Sequence, residues 1–254
     1  MTLWVSERPG DGPLIVLVHG SMDRSASFIR TERVLDGRHV IRYDRRGYGR
    51  SAGLPAAASF DDHVDDLFSI IDRRAAVVIG HSLGGVVALT AAQRDPSIIR
   101  AVGAFEAPMP WADWWPEGTA GGAALAAAAD PADAAETFMR RIIGDERWEE
   151  LPERTRRERR AEGVALVAEM RFLHDPPPPY DPGQIAVPVV AARGGTSTPH
   201  HVRTAEELAR AVPGAELVVI DGAGHGAHAS HPAEFAAYVE RVVATVGGDG
   251  PPPV

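Results

Sequence analysis

The feature that most constrains this chain is an alternation. Short, unbroken runs of β-branched and other apolar residues recur along it, and amphipathic helical patterns fall between most of them. The runs occupy residues 14–18, 39–43, 75–79, 99–105, 187–192 and 216–220. Residues 14–18, Leu-Ile-Val-Leu-Val, have no polar member, as expected of a strand covered on both faces. Apolar residues three and four apart predict helices over residues 25–35, 60–72, 86–94, 199–211 and 232–246. Strands and helices alternating in this way give an α/β fold with a mostly parallel central sheet and helices on both faces. Ligands then bind beyond the carboxyl ends of the strands.

The alternation fails between about residues 108 and 184. This stretch holds Trp111, Trp114 and Trp115, an alanine-rich run over 123–135, an arginine-dense helix candidate over 152–172 and four prolines at 176–179. It reads as an inserted helical lid, closed by a stiff polyproline connector; a separate small domain is the competing reading. The expected organisation is a core of residues 1–108 and 185–246, a lid over 109–184, and a disordered Gly/Pro-rich tail at 247–254. A chain of 254 residues is long enough for one full core with such an insertion.

Chemistry is concentrated where the third run ends. Val77-Val78-Ile79 continues into Gly80-His81-Ser82-Leu83-Gly84-Gly85, a Gly-x-Ser-x-Gly pattern followed by an Ala/Val/Leu helix. A serine between strand and helix must occupy a tight, strained turn, and Gly80 and Gly84 remove the side chains that would collide around it. Ser82 is thereby pushed out over the strand end as a candidate nucleophile, and the N–H of Leu83 faces any oxyanion formed there. The plainer reading is a glycine-rich turn with an idle serine. A serine hydroxyl needs a base, and His225 in Asp221-Gly222-Ala223-Gly224-His225-Gly226 follows the last strand on the same edge. His228 and His231 are its competitors. His19-Gly20-Ser21-Met22 closes the first run, where the N–H of Ser21 is placed to give a second oxyanion donor, with His19 holding the loop.

These motifs together resemble the α/β-hydrolase superfamily: His19-Gly20 after one strand, Asp44-Arg45-Arg46-Gly47-Tyr48-Gly49-Arg50-Ser51 after the next, Gly80 to Gly85 at the elbow, and Gly224-His225 near the end. They occur in the expected order across about residues 4 to 246. The resemblance implies Ser82 as nucleophile and His225 as base, with residues 44–51 mainly a structural loop. Similar hydrolases usually carry an aspartate just after the strand at 187–192, but this chain reads Arg193-Gly194-Gly195-Thr196-Ser197-Thr198-Pro199-His200-His201, with no carboxylate. A neutral hydroxyl cannot steady an imidazolium as a carboxylate does. The alternative is Glu106, in Ala104-Phe105-Glu106-Ala107-Pro108 at the carboxyl edge of the preceding strand, a position used by some haloalkane dehalogenases of similar fold. The expected triad is Ser82-His225-Glu106, against a reading in which Glu106 only anchors the start of the lid. Met22, His81, Trp111 and Trp114 are the expected substrate-binding residues.

Asp61, Asp62, His63, Asp65 and Asp66 spread over more than one helical face and read as solvated helix charge rather than a metal cluster. His200-His201 reads as a helix start. Composition narrows the function further. Lysine and cysteine are absent, which excludes lysine Schiff-base chemistry, a phosphate-loop lysine, disulfides and thiolate nucleophiles. A net charge of −9 argues against nucleic acid and anionic membranes as partners. No apolar run reaches membrane-spanning length and no basic-then-apolar leader is visible, so a cytoplasmic protein is expected. The sequence therefore points to a serine hydrolase that attacks an ester-like carbonyl of a small, partly apolar molecule through an acyl-enzyme, with no metal or organic cofactor. A lyase or carbon–carbon bond hydrolase using the same pair, and a non-enzymatic binding relative, are the rivals. Haloalkane dehalogenase chemistry needs a carboxylate nucleophile, and the elbow carries serine.

Overall fold

The computed structural model describes residues 2–175 and 177–246. Pro176 of the proline connector and the tail 247–254 lie outside the described residues.

The strands are β1 (Trp4–Arg8), β2 (Asp11–Val18), β3 (Arg38–Asp44), β4 (Ala76–His81), β5 (Ile99–Phe105), β6 (Val189–Gly194) and β7 (Glu216–Ile220). They form one seven-stranded sheet in the order β1-β3-β2-β4-β5-β6-β7. Only the β1–β3 pair is antiparallel. Between the strands lie α1 (Ile29–Val34), α2 (Asp61–Ile71), α3 (Leu83–Arg94), α4 (Ala120–Ala126), α5 (Pro131–Ile143), α6 (Asp145–Glu150), α7 (Glu153–Ala161), α8 (Gly163–His174), α9 (Pro199–Ala211), α10 (Ala227–Ser230) and α11 (Pro232–Ala244).

Side-chain alternation along each strand feeds two cores. Val16, Val18, Val78 and Val102 pack on one side with Val64 and Leu67 of α2, Val86 and Leu89 of α3, and Leu208 of α9. Ile15, Leu17, Val77 and Ile79 pack on the other with Phe235, Val239 and Val242 of α11. All six residues of β4 are buried, which is why its sequence shows no period of two.

One expectation is corrected, and two further features are added. β1 escapes a search for continuous apolar runs because it is a half-buried edge strand, Trp-Val-Ser-Glu-Arg, alternating in burial. The arginine-dense segment is two helices rather than one. The break falls before Gly163, where a Cβ would lie 1.8 Å from the carbonyl oxygen of Pro131, so α8 and the start of α5 touch backbone to backbone. The alanine-rich run is likewise divided: Asp130 caps α5 by accepting from Ala132 N–H at 2.8 Å, and Pro131 takes the first turn.

The helices α4 to α8 all fall between β5 and β6. Ala124, Ala135, Met139, Trp148, Leu166 and Leu173 from this insertion belong to the same apolar cluster as Val16, Val18 and Val78. The insertion therefore shares the apolar core on that side of the sheet.

Candidate active site

Register sets the site. His81↔Phe105 is the last rung between β4 and β5, so Ser82 and Glu106 leave the sheet side by side. Phe105 pairs in turn with Ala192 of β6. The loops after β2, β4, β5, β6 and β7 thus open along one edge, and they carry Ser21, Ser82, Glu106, Ser197 and His225.

Ser82 has φ 53° and ψ −125°, a conformation L-residues rarely adopt. Its N–H donates to Phe105 C=O at 2.8 Å, and its C=O accepts from Gly85 N–H at 2.8 Å. The glycines around it are required by contact. A Cβ on Gly80 would meet Gly84 O at 2.2 Å, and one on Gly84 would meet Val18 O at 2.2 Å. A Cβ on Gly20 would sit 2.9 Å from Ser82 Cβ, so the bare backbone there lets the Ser21 loop approach the serine. Leu83, as the first residue of α3, has an N–H without a partner inside the helix. Met22 and Glu106 also take positive φ, 56° and 49°. Ser82 and Glu106 thus both take positive φ where they leave adjacent strands, and such strain gathers where a fold holds functional groups.

Glu106 is fully buried. Its Oε1 accepts from Gly194 N–H at 2.8 Å and from the hydroxyl of Ser197, and its Oε2 accepts from His225 Nδ1–H at 2.6 Å. The loop that lacks a carboxylate is thus the loop whose donors hold one. His225 Nε2 is left free of Glu106. Ser82 and His225 line the same cavity, and no direct hydrogen bond joins their side chains. The ring of His201 stacks on that of His225, with centroids 4.0 Å apart and planes 7° from parallel, and its Nδ1 lies 3.3 Å from Glu106 Oε2. Burial, then the neighbouring charges of His225 and His200, hold His201 far below the usual imidazole range. It is accordingly neutral, and Glu106 is shared between one ring it bonds and another beside it.

Ligand atoms of Glu106, His201 and His225 lie within 4.8 Å of one another, as do those of Asp23, His81 and His228. A cation in the first group would have to displace the His225 Nδ1 proton, because Oε2 already accepts it.

A second buried cluster fixes the Ser21 loop. Arg45 and Glu169 form an ion pair with both side chains 1% exposed. Arg45 also donates from Nε to His19 C=O at 2.9 Å and from Nη2 to Gly20 C=O at 3.0 Å. Glu169 Oε2 accepts from Ser21 Oγ and from Tyr48 OH, each at 2.7 Å. Burial and the adjacent Glu169 charge keep the Tyr48 phenol protonated, so it remains a donor. His19 Nδ1–H donates to Gly20 C=O at 2.8 Å while Nε2 accepts from Arg45 N–H at 2.9 Å, and burial with the Arg45 charge pulls its pKa down to about 4. His19 is therefore a neutral brace.

The cavity beside Ser82, about 350 Å³, is lined by Ser21, Ser82, Leu83 and His225 together with Trp115, Phe138, Ile142, Met170 and Leu173 from the insertion. The four expected substrate contacts lie elsewhere. Met22 is buried in the core. His81 is buried, and its Nε2–H donates to His225 C=O at 2.7 Å, so it holds the histidine loop from behind. Trp111 packs edge-on against Tyr180 with centroids 5.6 Å apart, and Trp114 lies under the Arg203 guanidinium at 4.5 Å. Trp115 alone of the three tryptophans reaches the cavity. Sequence reasoning also missed Arg45, Glu169 and His201. Arg45 and Glu169 are joined across 124 residues, a pairing that no local pattern announces.

The acidic helix carries structural charge. Asp62 accepts from Ala58 N–H at 2.6 Å, Asp66 pairs with Arg46 at 2.6 Å, Asp65 pairs with Arg94 at 2.6 Å, and His63 turns into the core.

Fold and site define a doubly wound α/β protein with a strained serine elbow, a buried acid–histidine pair and a cavity lined in part by the helices between β5 and β6. The chain belongs to the alpha/beta hydrolase family, whose sequence profile matches residues 15–238. Over 89% of its length it is 28% identical to rhodomycin D methylesterase DnrP of Streptomyces peucetius, and 30% identical to rhodomycin D methylesterase DauP of a Streptomyces species, again covering 89% of each relative. It is 36% identical over 110 residues to 2-(acetamidomethylene)succinate hydrolase of Mesorhizobium japonicum, a match spanning 42% of this chain and only 39% of that protein. Among solved structures, E-2-(acetamidomethylene)succinate hydrolase superposes with a TM-score of 0.68 at 24% identity, covering 95% of both chains. A hydrolase from Pseudomonas aeruginosa superposes at 0.74 and 21% identity, covering 96% of this chain and 94% of that one. At these identities the structural likeness is one of fold. No helix among the described residues is long and apolar enough to cross a membrane.

Proposed function

We propose that this chain is a serine hydrolase of carboxylic esters, with Ser82 as nucleophile, His225 as base, Glu106 as the acid that orients it, and the N–H groups of Ser21 and Leu83 as the oxyanion hole. One observation carries the reading: a serine held at φ 53° shares a cavity with a histidine whose far nitrogen donates to a fully buried glutamate at 2.6 Å. With Nδ1 protonated toward Glu106, His225 presents Nε2 as the acceptor for the Ser82 proton. Attack on the carbonyl carbon puts negative charge on its oxygen, and preorganised N–H groups at a helix start and a braced loop stabilise that charge. His225 then returns the proton to the leaving alkoxide. Water, deprotonated by the same ring, cleaves the acyl-enzyme.

Ester specificity draws support from the two methylesterases, which align along 89% of this chain. Leu83, Trp115, Phe138, Ile142, Met170 and Leu173 support a small, partly apolar substrate. We assign residues 1–108 and 185–246 to the hydrolase core and 109–184 to a lid, a division supported by the run of α4 to α8 over the cavity.

A fluorophosphonate probe tests the nucleophile. Wild type should be labelled and should hydrolyse p-nitrophenyl butyrate, while Ser82→Ala should do neither. Equal labelling of both proteins would remove Ser82 from the mechanism, and labelling without turnover of any p-nitrophenyl ester would favour the lyase alternative.

A further inference from the structure

The chain as a whole is acidic, with 35 Asp and Glu against 26 arginines and no lysine. Its cavity inverts that balance. No Asp or Glu is among the residues lining it, whereas Arg141, His174, His200, His201 and His225 all are. The carboxylates behind its lining are already engaged: Glu106 with Gly194 N–H, Ser197 and His225, and Glu169 with Arg45, Ser21 and Tyr48. Burial lowers the pKa values of His200 and His201, so neither supplies fixed positive charge at neutral pH. That leaves Arg141 as the permanent cation of the lining.

Arg141 is also set apart from its neighbours. Arg140, one residue earlier on α5, is tied to Glu136, Asp145 and Glu149, and Arg160 is tied to Asp133 and Glu136. Among the described residues no carboxylate pairs with Arg141. Its hydrogen bond runs from Nη1 to Gly118 C=O at 3.3 Å, in the segment leading into α4, whose residues 118–121 themselves line the cavity. A guanidinium has five N–H donors in a planar fork suited to a carboxylate, and most of these remain unused. Beside it on the same wall stand Phe138, Ile142 and Leu173, which suit a hydrocarbon stem.

We propose that the substrates are esters bearing a free carboxylate, with Arg141 binding that carboxylate while the ester carbonyl rests at Ser82. The proposal rests on the hydrolase reading of this cavity and names its substrate class. A neutral ester of equal length would leave the guanidinium solvated and gain nothing from it. A charge-assisted pair in a partly open cavity should favour the anion about five- to tenfold.

The test measures binding, so it does not depend on turnover. Ser82→Ala protein is titrated calorimetrically with monomethyl succinate, adipate and suberate, and with methyl butanoate, hexanoate and octanoate as neutral partners of equal length. The same titrations are run with Arg141→Gln and Arg141→Lys added to Ser82→Ala, and circular dichroism checks that each variant is folded. The expected result is at least one half-ester bound about five- to tenfold more tightly than its neutral partner. That preference should weaken with added salt, vanish in Arg141→Gln and survive in part in Arg141→Lys. Equal binding of each pair, no binding of either series at millimolar concentration, or a preference that persists in Arg141→Gln would overturn the proposal. Hydrolysis of the same esters by wild type is scored separately: failure there counts against the hydrolase reading, while the binding preference stands or falls by itself.

Discussion

Replacing Glu106 by glutamine tests the proposed triad at the level of a single proton. The two oxygens of Glu106 are not equivalent. Oε1 faces two donors, Gly194 N–H at 2.8 Å and the Ser197 hydroxyl, and Oε2 faces His225 Nδ1 at 2.6 Å. A glutamine amide placed there has one oxygen and one NH2. Its oxygen must take the Oε1 position, because an NH2 group cannot accept from Gly194 N–H and a buried donor left without an acceptor is costly. The NH2 group then points at His225 and donates to Nδ1, which drives the ring proton to Nε2, the nitrogen that has to accept from Ser82. Loss of the negative charge removes the stabilisation of the imidazolium as well. A tautomer reversal of this kind costs roughly 10³- to 10⁴-fold in kcat, or about 4–5 kcal/mol of barrier. The volume is unchanged and two of the three hydrogen bonds survive, so the fold should persist. Initial rates on p-nitrophenyl butyrate and the rate of fluorophosphonate labelling should fall together, with an unchanged circular dichroism spectrum. A folded Glu106→Gln protein turning over within about tenfold of wild type would refute the assignment and leave Glu106 as an anchor for the insertion.

Two further outcomes concern the braces around the site. Glu169→Gln strands the buried Arg45 cation and should destabilise the protein by about 3–5 kcal/mol in urea unfolding, and it should also slow ester hydrolysis because Ser21 loses its anchor; a variant unchanged in both respects would mean that the cluster positions nothing. His63 is buried with neither ring nitrogen hydrogen-bonded, and burial pulls its pKa down to about 4 from 6.5, outweighing the nearby Glu169 charge. The folded state thus binds its proton less readily than the unfolded chain. Its contribution to stability is fully present above about pH 6.5 and declines as pH falls toward 4, reaching a loss of about 2 kcal/mol at pH 5. His63→Leu should flatten the dependence of the urea midpoint on pH by that amount between pH 7 and 5, and an unchanged slope would mean that the pH dependence arises at another group.

The parts of this molecule legible in its sequence are those specified locally. Residues 14–18 and 76–79 read as strands because both their faces are buried, and Gly80 and Gly84 read as an elbow because only glycine fits there. Ser82, His225 and Glu106 could each be picked out from its place at a strand end. What stayed hidden depends on partners distant in sequence. The tryptophans show the limit: Trp111, Trp114 and Trp115 are alike in type and nearly adjacent, and only the path of the chain decides that Trp115 faces the cavity while Trp114 lies under Arg203. Arg45 falls in a loop that the resemblance marks as structural, and it is structural, yet what it structures is the Ser21 loop, through a glutamate on α8. His201 was hidden by its neighbour: two adjacent histidines at a helix start carry no sign of which one turns inward.

The position of Glu106 also has a geometric explanation. Phe105 pairs with Ala192, and the N–H of Glu106 donates to Ala192 C=O at 2.9 Å, so the ends of β5 and β6 lie one rung apart. A carboxylate on an extended continuation of β5 would be carried past the edge of the sheet. The turn to φ 49° instead swings the side chain sideways, across the end of β6, to Gly194 N–H. That left-handed turn costs roughly 1–2 kcal/mol for a residue with a Cβ, which two or three hydrogen bonds to a buried carboxylate offset. The carboxylate therefore arrives beside the loop after β6, the place from which an acid on that loop would have faced His225. The loop after β6 is then free of any acid and contributes instead the Ser197 hydroxyl and the Gly194 amide, the two donors that an ionised side chain in a buried site requires.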